Sequence, residues 1–599
     1  MAEDETIRTH AGSMRRLFGL YTAESGRTVL AVIVAVALSG GQLLPNLLIR
    51  STVNHIEAWF RGGREGPIGL WPYAFAVLGA AALVSLLRFA HGLTRAGLVV
   101  RIANRLRERM YEAVQRHSLS YHKQQTTGDL IARATRDIQS IARFVGFGVF
   151  GTADIVVFLG GATLVLFFIN PVFAALALCP VPVAIFCMVR FSSGMQTRWR
   201  EASEAYGKVT TVLQENIAGA RVVRAFAQER AEERRFGGRA DEYVGRVIAV
   251  VRYWVIRMIS ADFIFSLVMP IALTYGASQV IAGRLGLGDV MLCFLFMRPV
   301  QHRLRHLIQI LEICQNAAAG ADRVFEILDE EPGIRSRPGA GPVPPPPEGE
   351  GAWIEFRNVS FGYDPEKPVL RDISFTAEPG RTIGIVGRTG SGKSTLISLI
   401  PRFHDPTGGA VLVNGTDVRE IALRSLRRSV GIIFQETFLF STTVRENIAY
   451  GEPEAELAAV EAAAGAARAD DFIAELDDGY GTVVGERGFT LSGGQAQRLA
   501  IARAILLDPL VLIMDDATAS VDSETERRIH QTLRRVSRGR TTFVIAHRIS
   551  SVAHADRILV LDDGRIAEQG THAELFALGG IYRRMCDQQL AGDRQGDHD

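Results

Sequence analysis

Five stretches of mostly apolar residues, 29–49, 68–87, 144–169, 172–189 and 263–282, punctuate the first half of the chain. About twenty helical residues cross a ~30 Å hydrocarbon core, so each run is long enough to span a bilayer. A sixth run opens near Leu287 and loses its apolar character at Arg298. It predicts an amphipathic span with one face turned away from lipid. The connections after the second and fourth runs are long, and hold 10 Lys/Arg between Arg95 and Arg143 and 13 between Arg190 and Arg257. The three short connections hold four: Arg50, Arg61, Arg64 and Arg284. Positive charge favours the cytoplasmic side, so the pattern predicts a multi-pass protein of the inner (plasma) membrane with its long loops and both termini in the cytoplasm. Leu98, Ile102, Leu106 and Met110 recur at every fourth position, which predicts helices continuing beyond the bilayer. Residues 1–28 are polar and basic, without the early apolar core and cleavage site of a secretory signal, and read as a cytoplasmic segment.

After Leu328 the texture changes. Asp329, Glu330, Glu331 and Pro332 lead into a Pro/Gly stretch ending in Pro344 to Pro347, a semi-rigid spacer that cannot continue a helix. Beyond it, short β-rich runs at 353–356, 382–386, 411–413, 511–514, 542–545 and 558–561 alternate with helical patterns, as an α/β domain requires. The predicted organisation is therefore an N-terminal segment 1–28, an all-α six-helix membrane domain 29–328, a linker 329–351, an α/β domain 352–588 and a polar tail 589–599.

Composition agrees with this division. A hydrophobic fraction of 48% beside 22% charged residues suits a membrane part joined to a water-soluble part. The formal net charge of +2 lacks the global signature of a nucleic-acid binder, and the spans exclude a soluble domain acting on nucleic acid. Cys179, Cys187, Cys293, Cys314 and Cys586 are scattered without a CxxC pair, so they read as small apolar residues rather than a disulfide framework or zinc site.

The chemistry sits in the second half. Gly387, Arg388, Thr389, Gly390, Ser391, Gly392, Lys393 and Ser394 follow an apolar strand and precede a helix that includes Thr395. Consecutive backbone N–H groups in such a loop surround phosphate oxygens, Lys393 adds a positive charge, and Ser394 offers a hydroxyl to Mg²⁺. The strand 511–514 ends in Asp515 and Asp516, where one carboxylate holds a metal and the next positions water.

With Leu491, Ser492, Gly493, Gly494 and Gln495 about twenty residues upstream of that strand, the chain resembles the ATP-binding cassette (ABC) transporters, specifically exporter-type half-transporters. The resemblance covers nearly the whole chain and implies ATP and Mg²⁺ as ligands. It implies that Tyr363 stacks on adenine, that Gln435 senses γ-phosphate and metal, and that His547 is the switch histidine. It further implies that 485–488 touches the membrane domain, and that two cytoplasmic stretches, about 121–133 and 206–222, are coupling regions. In this family each ATP lies between the phosphate loop of one cassette and the signature of another, so a second half-transporter is expected.

One position departs from the family pattern. The acid after Asp515 is ordinarily glutamate, and here it is Asp516, one methylene shorter. A general base must come within about 3 Å of its water, so a retracted carboxylate is expected to weaken hydrolysis. The segment Ala519 to Asp522 also departs from the family's usual Ser-Ala-Leu-Asp. A heterodimer in which a different chain supplies glutamate is favoured over a homodimer. In the sixth span Arg298, His302 and Arg305 share one helical face, and Arg88 and His91 end the second span. They are read either as a basic cavity for an anionic amphiphile, drug-like or lipid-like, or as groups lying beyond the headgroups or paired with acids such as Asp154, Asp262 or Glu312. Export is the leading function. Uptake of a siderophore or fatty acid by an exporter-shaped protein, and an ATP-gated channel or regulatory subunit, stay open as alternatives.

Overall fold

The computed structural model describes residues 2–62, 68–346, 351–364, 366–485, 491–515, 531–532, 534–546 and 548–596. The chain folds as two compact units, Met1–Gln115 with Thr127–Glu330, and Arg116–Thr126 with Glu331–Asp599.

The first unit is helical: α1 (Ala2–Thr22), α2 (Ser25–Gly41), α3 (Leu44–Arg61) and α4 (Trp71–Arg116) lead to α5 (Leu119–Gln124), which belongs to the second unit. The chain returns through α6 (Thr127–Ala132), α7 (Ile138–Arg143) and α8 (Val149–Ile169), with single π turns at Arg133–Asp137 and Phe144–Gly148 between them. Next come α9 (Pro171–Leu178), α10 (Pro180–Ala218), α11 (Ala220–Ala225), α12 (Glu229–Ile281) and α13 (Leu287–Asp329). Among the described residues, Ser25–Arg61, Trp71–Arg116 and Thr127–Ile169 are long and apolar enough to cross a membrane, and shorter apolar stretches lie at Pro171–Val183 and Ser266–Ile281.

Local chemistry sets the breaks. Asn170 caps α9 by accepting from the Val172 N–H at 2.9 Å, with Pro171 at the first helical position. The N-terminus of α13 is satisfied from α3: Glu57 Oε2 accepts from the Leu287 N–H at 2.6 Å and Asn54 Oδ1 from the Gly288 N–H at 2.8 Å. Leu98, Ile102, Leu106 and Met110 of α4 are buried against Leu17, Ile138, Ile141 and Val324, as their spacing predicts. Phe158, Phe173, Ala272 and Phe296 form a second apolar centre. Residues such as Ile33, Leu78, Leu86 and Leu164 remain exposed, the outward apolar surface that lipid solvates.

The second unit holds two sheets. In chain order the strands are β1 (Ile354–Phe361), β2 (Leu370–Ala377), β3 (Thr382–Gly387), β4 (Gly408–Val413), β5 (Thr416–Asp417), β6 (Val430–Ile433), β7 (Val511–Asp515), β8 (Thr541–Ile545), β9 (Arg557–Asp562) and β10 (Arg565–Gly570). The antiparallel sheet has the order β2-β1-β4-β5 and the larger sheet β10-β9-β3-β8-β7-β6. In the larger sheet only the β10–β9 pairing is antiparallel. Buried faces of both sheets, from Phe356 to Ile385, Ile513 and Phe543, make one core. The last helix, Ile581–Gly596, runs past the expected domain edge at 588. Its buried Tyr582 and Cys586 pack on Ile558 and Leu575, so the start of the polar tail continues a docked helix.

Candidate nucleotide site

Parallel strands deliver loops to one edge of a sheet, at their carboxyl ends. β3 ends in the phosphate-loop candidate, β7 in Asp515, β6 two residues before Gln435, and β8 two residues before His547. Two glycines make the loop possible. At Gly387 (φ +153°) a Cβ would stand 2.3 Å from the Leu561 carbonyl oxygen, and at Gly392 (φ +101°) 2.8 Å from Leu370 Cδ2. The chain then enters α14 (Lys393–Ser398). The buried Lys393 ammonium donates to the carbonyls of Gly387 at 2.9 Å and Arg388 at 3.0 Å. Ser394 Oγ donates to Asp515 Oδ1 at 3.3 Å. The buried Ser391 hydroxyl has no hydrogen-bond partner among the described residues, while Arg388, Thr389 and Gly390 form an exposed tip.

These residues suit a nucleoside triphosphate with Mg²⁺. A hydroxyl beside a carboxylate is a hard oxygen donor set for Mg²⁺. A flexible ammonium parked on backbone carbonyls, beside an orphan hydroxyl, offers donors that phosphate oxygens satisfy better.

The structure distributes the remaining candidates around that edge. Tyr363 is half exposed and its Oη lies 3.2 Å from Oγ1 of the buried Thr395, so the expected base-stacking ring reaches the phosphate-loop helix. Gln435 is exposed directly after β6. Leu491, Ser492, Gly493, Gly494 and Gln495 open another helix, α15 (Gly493–Leu506). There Ser492 Oγ accepts from the Gln495 N–H at 3.3 Å, and Gln495 Oε1 accepts from the Ser492 N–H at 2.8 Å, a capping box. The signature thus presents its own exposed helix start, and shares no hydrogen bond with the phosphate loop among the described residues. Asp516, His547 and the 486–488 part of the segment before the signature lie outside the described residues.

Two supports of this edge carry no sequence motif. The fully buried Asn447 accepts from the Phe440 N–H at 2.9 Å and donates to the Phe440 carbonyl at 2.9 Å. Arg503 of α15 donates to the Asn447 carbonyl at 2.8 Å, so the segment after Gln435 is tied to the helix that carries the signature. Around Tyr363, His404 meets the ring edge-to-face at 5.2 Å and Lys123 of α5 lies 5.1 Å from its centroid. His404 Nδ1 in turn lies 3.2 Å from Ser120 Oγ. Burial, and then the charge of Lys123, push the His404 pKa down from its ordinary value.

In the helical unit, Arg298, His302, His306 and Gln309 lie exposed along one face of α13. The His302 and His306 rings are 4.6 Å apart, and His306 Nδ1 is 2.9 Å from Gln309 Oε1. The side chain of Arg305 lies outside the described residues. Arg88 is exposed, whereas His91 is half buried with its ring edge-on to Phe150 at 5.7 Å. Among the described side chains, Asp154 does not pair with Arg298. Its partner is Arg303, with Nε 3.0 Å from Oδ2, a residue the helical-face reading passes over. Around the short helix α11, Ile217, Val222 and Phe226 are 60–72% exposed.

A P-loop nucleotide-binding domain fused behind a helical membrane domain defines the class: an ATPase built into a membrane protein. The chain belongs to the ABC transporter family, as an exporter-type member. Residues 28–300 match the ABC transporter transmembrane region and residues 370–519 the ABC transporter domain. The chain is 38% identical over 497 residues to an ATP-dependent lipid A-core flippase of Syntrophus aciditrophicus, covering 83% of this chain and 82% of that protein. It is 33% identical to a probable multidrug resistance ABC transporter ATP-binding/permease protein of Bacillus subtilis, covering 96% and 97%. Among solved structures, a bacterial Atm1-family ABC exporter with ATP bound matches at a TM-score of 0.79 and 29% identity, over 94% of this chain and 98% of that one.

Proposed function

We propose that this chain is one half of a dimeric exporter that moves an amphipathic, lipid-like or drug-like, anionic substrate out of the cytoplasm by alternating access. The observation that carries the ATP-driven part is the convergence of Lys393, the unpartnered Ser391 hydroxyl and the Ser394–Asp515 contact at one sheet edge. In this reading residues 387–395 hold the phosphates of ATP and Tyr363 carries the base. Ser394, Gln435 and Asp515 hold Mg²⁺, which when bound neutralises charge developing on the phosphates. Asp516 receives the proton of the attacking water, and His547 holds the γ-phosphate end in place. Leu491 to Gln495 serve the nucleotide of the partner chain, because their exposed helix start offers N–H groups to an anion.

The exposed apolar residues Ile217, Val222 and Phe226 support a partner chain as their cover, since isolated water-exposed clusters of this kind mark contact sites. The exposed polar face of α13 supports the anionic cargo. The lipid and multidrug relatives are consistent with such cargo, and orientation follows the loop charges, with both termini and the ATPase domain in the cytoplasm.

Asp516 makes this chain the weaker ATPase, and a glutamate-bearing partner chain the better match. Asp516→Glu should raise ATP turnover of the purified complex about tenfold, since one methylene of misplacement at a general base is a loss of that order. An unchanged or slower rate would contradict a retracted base. Substrate-stimulated hydrolysis accompanied by uphill flux separates a pump from an ATP-gated channel, which gives downhill flux alone.

A further inference from the structure

Arg303 occupies a place on α13 that neither its polar face nor its apolar face explains. It follows His302 by one residue, a rotation of about 100°, so it points away from the exposed line of Arg298, His302 and Gln309. Its guanidinium meets Asp154 of α8 at 3.0 Å (Nε to Oδ2) and 3.4 Å (a terminal nitrogen to Oδ1). The same terminal nitrogen donates to Gln42 Oε1, directly after α2. The guanidinium also lies 3.6 Å from the centre of the Phe158 ring. Asp154 Oδ1 accepts a further hydrogen bond from Ser39 Oγ of α2 at 2.6 Å. Three spans meet at one charge pair, and the Arg303 side chain keeps only 13% of its exposure.

We propose that Arg303 and Asp154 are positioning residues that fix the rotation of the sixth span about its own axis, and so keep Arg298 and His302 turned toward the transported anion. The proposal rests on the reading of that face as cargo-facing. Its physical basis is directionality. Apolar helix faces in a bilayer discriminate weakly between rotations, because lipid tails and neighbouring side chains are equally apolar. The paired, largely buried arginine discriminates strongly even though Asp154 keeps 34% of its exposure, because losing Asp154 strands a charge with little access to water. Turning α13 by one residue would put His302 where Arg303 meets Asp154 and remove it from the exposed line.

Cysteine accessibility of the full chain in lipid nanodiscs tests this. Arg298→Cys, His302→Cys, Gln309→Cys and Val300→Cys are placed singly in a chain whose native cysteines are replaced, and labelled with a charged, membrane-impermeant maleimide. With Arg303 intact, positions 298, 302 and 309 should react, while the buried position 300 should not. In Arg303→Met, and equally in Asp154→Leu, labelling at 302 should fall at least about fivefold and position 300 should begin to react. Arg303→Asp combined with Asp154→Arg should restore the original pattern. The same single variants should raise the dodecyl phosphate concentration that half-stimulates ATP hydrolysis while sparing the maximal rate. If a single variant fails to fold, Arg303→Lys, which keeps the charge without the planar fork, should show the same shift to a smaller degree. A labelling pattern unchanged by these substitutions would overturn the anchor. Absence of labelling at 298 and 302 with Arg303 intact would overturn the cargo-facing reading itself, and the anchor with it.

Discussion

His404 shows how much a single side chain ties together at the nucleotide edge. It is buried, its Nδ1 is engaged with Ser120 on the short helix α5, and its ring braces Tyr363. Because burial and Lys123 lower its folded pKa below the ordinary value near 6.5, the unfolded chain binds the proton more readily. Stability is therefore full above pH 6.5 and declines as pH falls from there toward the depressed folded value. The thermal midpoint of the purified protein should drop between pH 7 and pH 5.5, and His404→Phe should flatten that drop; an identical pH profile in the variant would remove His404 as its source. Asn447 is a second case. Asn447→Ala leaves the Phe440 N–H without its acceptor, while the Phe440 carbonyl keeps the Thr442 N–H, at a cost of about 2 kcal/mol, and should raise KM for ATP by loosening the segment that follows Gln435. Chemical denaturation and steady-state kinetics check the two parts. Residues of this kind were invisible in the sequence, because their roles depend on partners far along the chain. The phosphate-loop pattern 387–394 stood out because its glycines, Lys393 and Ser394 recur within one strand-loop-helix segment. Arg303 was missed for the same reason as Asn447: the contact that defines it, with Asp154, joins residues 149 positions apart.

Among elements, the buried parallel strands were the most readable, since β3, β7, β8 and β9 are continuous apolar runs buried on both faces. β2, β5, β6 and β10 lie outside the predicted β-rich runs. Leu370–Ala377 alternates apolar and polar positions, and Arg565–Gly570 is an edge strand with every second residue exposed. In the helical unit, long helices were legible from spacing, but the polar straps between them were not. The buried Asp137, on the π turn after α6, receives two hydrogen bonds of 2.7 Å each from Arg323 of α13. Arg323→Ala strands that carboxylate and should cost about 3 kcal/mol. Asp137→Ala leaves a half-exposed arginine that water can solvate, and should cost clearly less. Thermal unfolding in detergent of the two single variants checks the order, and equal losses would mean the strap is not controlled by the buried partner.

At the scale of the molecule, a helical unit with an apolar outer surface and an α/β unit with a phosphate-binding edge share one chain, and family membership joins them in transport. In the proposed function, nucleotide chemistry at Lys393 drives cargo against its gradient. In the proposed orientation, inside-out vesicles present the ATPase domains to added nucleotide, so accumulation of a fluorescent anionic lipid analogue inside them reads that drive directly. Vesicles with the intact chain and its partner should concentrate the analogue above its outside level when ATP is added, and vesicles with Lys393→Ala should not. Equal accumulation in both, or mere equilibration with the intact chain, would contradict the account.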